Sequence, residues 1–344
     1  MRIRAAVLER IGELTIREIE SEQLLPWQVL VKVLYSGICR SQLMEVRGLR
    51  GEDRWIPHLL GHEGAGTVIA IGKAVTKVAV DDDVILTWIK GDGKESPGAT
   101  YRSSIGRINS GPVTTFSNFA VVSENRLTKK PTGLPFDEAV LYGCALLTGG
   151  GVVLNEIPED RDISVLVLGL GGVGLAALLA LMSLGYKNVI AADSSRTKLD
   201  FVEKLPVVCA LDSTDTNFDT RIGAIAPHGV DVCIEAVGRT ETIEQGFKLV
   251  KRRGGKLIFA SHPPNGELIS IDPHHLIGGK SISGTWGGSS RPDVDVPRLV
   301  QLLEPWRDYL NTLIAKRYRL EEINSALDDL EAARTFRPLI VMEH

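Results

Sequence analysis

One stretch limits the fold of this chain more than any other. In VLVLGLGGVGLAALLAL, residues 165–181, an apolar strand-like run breaks at closely spaced glycines and resumes as an apolar helical run. Gly169, Gly171 and Gly174 form G-x-G-x-x-G, with Gly172 and Val173 inside it. The three glycines serve different ends. Gly169 permits a tight turn, Gly171 lets the backbone approach a pyrophosphate, and Gly174 lets the helix lie close to the strand. The helix that follows then points unpaired N–H groups and the positive end of its dipole at the phosphates. Asp193 stands where the next strand ends, about 20 residues on, the position of an acid that accepts ribose hydroxyls. Its charge repels a 2′-phosphate, so NAD is expected over NADP. Arg196, a residue type that serves NADP enzymes, is the opposing feature, and Asp193 outweighs it.

The surrounding pattern agrees. After residue 146 strands alternate with helices. The strands are Ser164–Leu168, Asn188–Ala192, Val230–Glu235, Lys256–Ala260 and Ser281–Thr285; the helices are Gly172–Leu184, Arg196–Lys204 and Thr240–Val250. Crossover helices between strands imply a parallel, doubly wound α/β sheet. The first third reads differently, as short β runs: Gln28–Leu34, Gly66–Ile71, Asp83–Trp88 and Phe119–Val122. Gly, Pro and Asp punctuation between them suggests a barrel-like β unit. The segment Lys90–Thr114 reads as a polar loop. Beyond residue 288 come helices at Asp293–Leu303 and Leu320–Ala333 and a closing strand at Pro338–Met342. The expected layout is discontinuous: 1–145 β-rich, 146–288 an inserted α/β domain, and 289–344 a return to the first.

Composition excludes several classes. Lys plus Arg number 39 against 43 Asp plus Glu, which leaves no footprint for nucleic acid or an anionic membrane surface. The opening run lacks the apolar centre of a signal peptide. Four cysteines at 39, 144, 209 and 233 are too scattered for a disulfide framework, and a reducing, cytoplasmic location is expected. Cys209 and Cys233 lie in apolar strand contexts and read as core. Asp81–Asp83 reads as a solvated turn.

Cys39 follows a strand in SGICRSQ, His62 opens another in GHEGAGTV, and Cys144 lies in YGCALLTGG. Two thiolates and an imidazole suit zinc, and three protein ligands leave one position open. Spacing alone does not bring these three together, and each taken singly reads better as a buried residue than as a ligand.

Several motifs in one order resemble the zinc-containing medium-chain alcohol dehydrogenases over nearly the whole chain. They are GICRS (37–41), GHE (61–63), GC with the following TG (143, 144, 148, 149), GLGGVG (169–174), VDVCIEAVG (230–238) and GTWGG from Gly284. The resemblance implies a GroES-like catalytic domain interrupted by a Rossmann domain. It makes Cys39, His62 and Cys144 ligands of one catalytic zinc, with Glu63 behind the metal and able to approach it. Ser41 becomes the hydroxyl that bonds the substrate oxygen. Arg40 and Arg337 would meet the cofactor phosphates, Thr148 and Val173 the nicotinamide, and Lys198 the adenosine ribose. Trp88 would wall the substrate pocket. The implied reaction passes hydride between a primary or secondary alcohol and NAD, with the aldehyde or ketone in reverse. Homodimers or tetramers joined near Ser281–Thr285 are the implied assembly.

Three departures from the family pattern stand out. Segment 90–114 has none of the four cysteines of a structural zinc site, so one zinc per chain is expected. Met44 replaces a proton-relaying histidine, which leaves Ser41 to pass its proton through the cofactor ribose to water; Glu45 reads as a solvated surface charge. Gln42 stands where an aspartate usually supports the site, so zinc should bind less tightly. His58, His228, His262, His274 and His275 have no matching partners. Two alternatives stay open: a polyol or sugar-type dehydrogenase of the same superfamily, and a catalytically silent cofactor-binding protein.

Overall fold

The computed structural model of the chain describes every residue except Val208. Two compact units emerge. The first comprises Met1–Cys144, Arg291–Val300 and Trp306–His344; the second comprises Ala145–Ser290 and Gln301–Pro305.

The first unit is β-rich. Strands β1 (Arg2–Arg10), β2 (Glu13–Ser21), β4 (His58–Leu59), β7 (Thr100–Ser103) and β8 (Gly106–Asn109) form a closed barrel in the order β1-β2-β7-β8-β4. A second sheet contains β3 (Gln28–Gly37), β5 (Glu63–Ile71), β6 (Asp83–Thr87), β9 (Phe119–Ser123) and β10 (Leu127–Lys129). Two late strands complete it, β17 (Arg317–Arg319) and β18 (Leu339–Val341), in the order β10-β6-β5-β3-β18-β17 with β9 also on β3. The C-terminal tail joins by antiparallel pairing of β18 with β3, Leu339 opposite Gly37. Val29, Val31 and Val33 of β3 face a core that also holds Val68, Val84, Leu86 and Ile340. This alternation is the period-2 pattern of a strand, and Leu30 on its other face packs into a second core with Val121.

The segment read as a polar loop, 90–114, instead carries the hairpin β7–β8. Its outward residues Thr100, Arg102, Arg107 and Asn109 mask the strand signal, while the inward Tyr101 and Ile108 are fully buried. The helix expected over Leu320–Ala333 is also shorter. It opens as a single 3₁₀ turn at Leu320–Glu322 and continues as an α-helix over Ile323–Glu331.

The second unit is a six-stranded parallel sheet. Its strands are β11 (Ser164–Leu168), β12 (Asn188–Asp193), β13 (Cys209–Asp212), β14 (Val232–Glu235), β15 (Lys256–Phe259) and β16 (Ser281–Gly284), ordered β13-β12-β11-β14-β15-β16. Strand order reverses beside β11, the switch point at which such sheets hold ligands. Leu166, Leu168 and Ile190 are buried on the sheet, and burial of such side chains contributes about 1.5–3 kcal/mol each. Cys233 is fully buried, and Cys209 packs against the same core. Among the described residues no single helix is long and apolar enough to cross a membrane.

Candidate metal centre and dinucleotide turn

Strand β3 runs three residues beyond its sequence-read end, through Tyr35, Ser36 and Gly37, and so delivers Cys39 to the site. Ser36 and Gly37 are weak strand formers, but contacts made elsewhere in the chain hold them. Ser36 Oγ donates to the Glu63 carbonyl at 3.1 Å and lies 2.7 Å from Thr115 Oγ1. Any side chain at Gly37 would meet the Glu63 carboxyl, whose carbon is 2.8 Å from where a Cβ would sit. Cys39 then caps the helix Arg40–Val46, and its backbone N–H donates to Gln42 Oε1 at 3.0 Å.

His62 precedes β5, and Cys144 ends a 3₁₀ turn, Val140–Gly143, packed against β5 and β6. One donor atom from each of Cys39, His62 and Cys144 lies within 4.8 Å of the others, with His62 Nε2 3.2 Å from Cys144 Sγ. Cys39 is held well below the ordinary thiol range, first by the hydrogen bond from Cys144 and further by the charges of Arg337 and His62. Cys144 is pushed well above it, because it donates to Cys39 and is buried. Two cysteine sulfurs and an imidazole on one point form a donor set that, with both cysteines as thiolates, fits zinc with one position open. The second ring nitrogen of His62, Nδ1, contacts Gln42 Nε2, so the predicted supporting position does touch a ligand.

Two residues expected at the site meet each other here. Glu63 is fully buried and outside the ligand cluster; both of its oxygens accept from Arg337 Nη2 at 2.5 Å. Arg337, expected at a cofactor phosphate, is buried against that carboxylate. A carboxylate with no access to water needs a fixed counter-charge, and Arg337 supplies it through Nη2. Burial pushes Glu63 up, and Arg337 opposes that push.

Around the metal set, Ser41 Oγ is enclosed and lacks a hydrogen-bond partner. Trp88 is half-buried, its ring centroid 6.3 Å from that of His62. Met44 is buried, and Arg40 is exposed. Two further readings change. Glu45 is half-buried rather than a free surface charge, since it lines a cavity and pairs with Arg50 at 3.3 Å. His58 does have partners: Nε2 lies 2.7 Å from Asp53 Oδ2, and Nδ1 lies 3.0 Å from the Leu59 carbonyl. Glu45, Asp53 and His58 bring one donor atom each within 4.8 Å. Nothing in the local periodicity of residues 45–58 signalled this cluster, because the loop between helix and strand brings it together.

In the second unit the glycine turn lies between β11 and the helix Gly172–Ser183. Gly169 has φ +95°, which a side chain would strain, and a Cβ on Gly174 would sit 1.8 Å from the Gly169 carbonyl. A Cβ on Gly171 would meet nothing within 4 Å, so its backbone faces open space beside the helix N-terminus. That is a cradle suited to a pyrophosphate. Val173 is partly exposed on the first turn. Thr148 is buried, and its hydroxyl has no partner. Asp193 ends β12 and accepts from the Leu170 and Ser195 N–H groups at 2.6 and 2.9 Å, with Lys198 Nζ at 3.2 Å. Arg196 is committed to Asp200 and Glu203.

Comparison with known proteins places these features in a family. The description "Zinc-binding dehydrogenase" matches residues 172–304, and "Alcohol dehydrogenase GroES-like domain" matches residues 26–132. Alcohol dehydrogenase class-3 of Cereibacter sphaeroides is 28% identical, the match covering 99% of this chain and 100% of that one. Benzyl alcohol dehydrogenase of Acinetobacter calcoaceticus superposes with a TM-score of 0.89 at 28% identity, covering both chains completely. An alcohol dehydrogenase zinc-binding domain protein of Burkholderia ambifaria gives 0.90 at 27%, again with complete coverage. The chain belongs to the zinc-containing medium-chain alcohol dehydrogenase family, with a GroES-like domain and a Rossmann-like parallel sheet. It is an oxidoreductase.

Proposed function

We propose that this enzyme is a zinc-dependent, NAD-linked dehydrogenase of primary or secondary alcohols, working on the aldehyde or ketone in reverse. The observation that carries this reading is the convergence of Cys39, His62 and Cys144 donor atoms within 4.8 Å. These three would hold one zinc per chain. When bound, the zinc would supply Lewis acidity toward the reacting oxygen and the nicotinamide would supply the hydride acceptor. The chain's own residues do the rest. Ser41, with its unpartnered hydroxyl, relays the proton that leaves the alcohol oxygen, taking it as it gives up its own toward the cofactor ribose and water. Trp88 walls the space beside His62. Glu63 and Arg337 fix the floor of the site as an ion pair. The Gly169–Gly174 turn seats the pyrophosphate, while Thr148 and Val173 orient the nicotinamide.

Asp193 and Lys198 take the adenosine ribose. The Asp193 carboxylate at the ribose position, with Arg196 turned to Asp200 and Glu203 instead, supports NAD over NADP, because it repels a 2′-phosphate. Exposed β16 at the sheet edge, with the exposed Trp286 beyond it, is the face on which we expect copies to associate. The test is dinucleotide reduction by zinc-loaded protein across simple alcohols, diols and polyols. NADH formation that a chelator abolishes and zinc restores is expected, with NADP much the poorer acceptor. Zinc-loaded protein that turns over no alcohol would leave the silent reading.

Gln42 adds a second expectation. A zinc-bound histidine carries its proton on the far ring nitrogen and needs an acceptor there. Gln42 accepts the Cys39 N–H on Oε1 and so turns its donor NH2 toward Nδ1, whereas a carboxylate offers an acceptor oxygen to each. Gln42→Glu is therefore expected to tighten zinc binding by roughly 10-fold or more in a chelator competition. An unchanged affinity would remove Gln42 from the account.

A further inference from the structure

Trp88 follows directly on β6, at the head of a stretch, 88–99, that forms neither helix nor strand. A buried 3₁₀ turn, Glu124–Arg126, holds that stretch in place. Glu124 is 1% exposed. Its Oε1 accepts from the Lys94 N–H at 2.8 Å, and its Oε2 accepts from the Thr76 and Lys77 N–H groups at 3.1 and 3.3 Å. The Asn125 carbonyl accepts from the Gly91 N–H at 2.8 Å. Ser123, which leads into the turn, exchanges two hydrogen bonds of 2.9 Å with the Ser96 main chain.

Arg126 carries this brace to the metal centre. Strand β10 pairs with β6 so that Leu127 stands opposite Leu86, which sets Arg126 beside the chain as it leaves β6. Arg126 Nη1 donates to the Trp88 carbonyl, and Nη2 donates to Glu95 Oε1 at 2.5 Å. Glu95 Oε2 takes Lys90 Nζ at 2.5 Å, so this carboxylate ties two cations to one place. Arg126 is only 9% exposed, and it lines a cavity of about 430 Å³ together with His62 and Trp88. Enclosing a guanidinium is costly, and what it returns here is direction. Its planar fork holds two acceptors at a fixed angle, which the point charge of a lysine cannot do.

We propose that Arg126, clamped by Glu95, is a positioning residue that fixes the Trp88 main chain and so sets how the enzyme ranks bulky alcohols against small ones. This rests on the dehydrogenase reading above and names the device that tunes its specificity. The bond is made to the Trp88 carbonyl, so it determines where the indole starts and how near it stands to His62, at 6.3 Å between ring centroids. Contact energy falls steeply with a gap of even a fraction of an ångström. A bulky alcohol makes more contacts with this ring than ethanol does, so it loses more when the ring shifts. Arg126 touches the wall of the pocket from behind and acts through Trp88.

The experiment compares zinc-loaded wild type with Arg126→Lys, Glu95→Ala and Glu95→Gln, each alone and combined with Trp88→Ala. The probes are ethanol, hexanol and benzyl alcohol. Arg126→Lys and Glu95→Ala should lower the ratio of benzyl alcohol to ethanol kcat/KM, and of hexanol to ethanol, by roughly three- to tenfold. The change should come through KM, with kcat little altered. Glu95→Gln keeps an oxygen that accepts from Arg126, so it should hold the ratio near wild type. With Trp88→Ala present, none of the three should move the ratio further, because the ring they place is gone. A ratio unmoved by both Arg126→Lys and Glu95→Ala would overturn the proposal. So would a ratio moved equally with and without the Trp88 ring, which is the mark of a merely structural role.

A second measurement requires no turnover. The emission lost on Trp88→Phe, taken in each background, isolates this ring among the five tryptophans of the chain. Acrylamide should quench that component more strongly in Glu95→Ala than in wild type or Glu95→Gln. That result with no alcohol oxidised supports the brace, and the dehydrogenase reading is then what fails. Equal quenching in all three proteins overturns the brace even while alcohols are oxidised.

Discussion

Replacing Cys144 with alanine is expected to empty the metal centre and lower kcat/KM by on the order of a thousandfold or more, the several kcal/mol that a Lewis-acidic ion contributes at a developing alkoxide. Cys144 is buried at the end of a short 3₁₀ turn, its sulfur 3.2 Å from the nearer His62 nitrogen. Without it two donors remain, too few to hold zinc in a site that keeps one position open. The lost sulfur leaves a small void worth on the order of 1 kcal/mol, so the chain should stay folded. Metal content, thermal melting and steady-state rates on one preparation separate these effects. A folded, active Cys144→Ala protein that still carries zinc would remove Cys144 from the ligand set.

Arg337→Met should be the most damaging single change to stability. Glu63 is fully buried, and its two oxygens share one guanidinium nitrogen. Removing the cation while leaving the carboxylate costs about 3–5 kcal/mol, because the stranded charge has neither water nor partner. The penalty should depend on pH in a definite direction. Burial already raises the Glu63 pKa, and loss of Arg337 removes the main influence lowering it. A group whose folded pKa is raised gives its full stability below the unfolded value and loses it as pH rises through the folded value. The deficit of the variant should therefore be largest at neutral and alkaline pH and should shrink toward the ordinary carboxylate range. The double variant Arg337→Met with Glu63→Gln should recover much of the loss at neutral pH. A deficit independent of pH would show that Arg337 acts through packing alone.

The parallel sheet was legible because its strands are continuous apolar runs and its turn needs glycine at Gly169 and Gly174, a requirement written directly in residue types. The ligand set was legible only through the order of several motifs, since Cys39, His62 and Cys144 meet through the pairing of β3 with β5 and the packing of the 3₁₀ turn, which no local spacing encodes. What sequence missed is all tertiary. The β7–β8 hairpin hid behind polar outward residues. The Glu63–Arg337 pair joins positions brought together when β18 closes on β3. The cluster of Glu45, Asp53 and His58 is assembled by an irregular loop. Polar residues with no periodicity carry no signal of which neighbour will satisfy them, and these are the residues that distinguish this pocket.

The most direct test is zinc stoichiometry measured together with activity. Purified protein should carry one zinc per chain, lose NAD reduction when stripped by a chelator, and regain it on return of one equivalent of zinc. Two zinc ions per chain, or full activity in metal-free protein, would contradict the account.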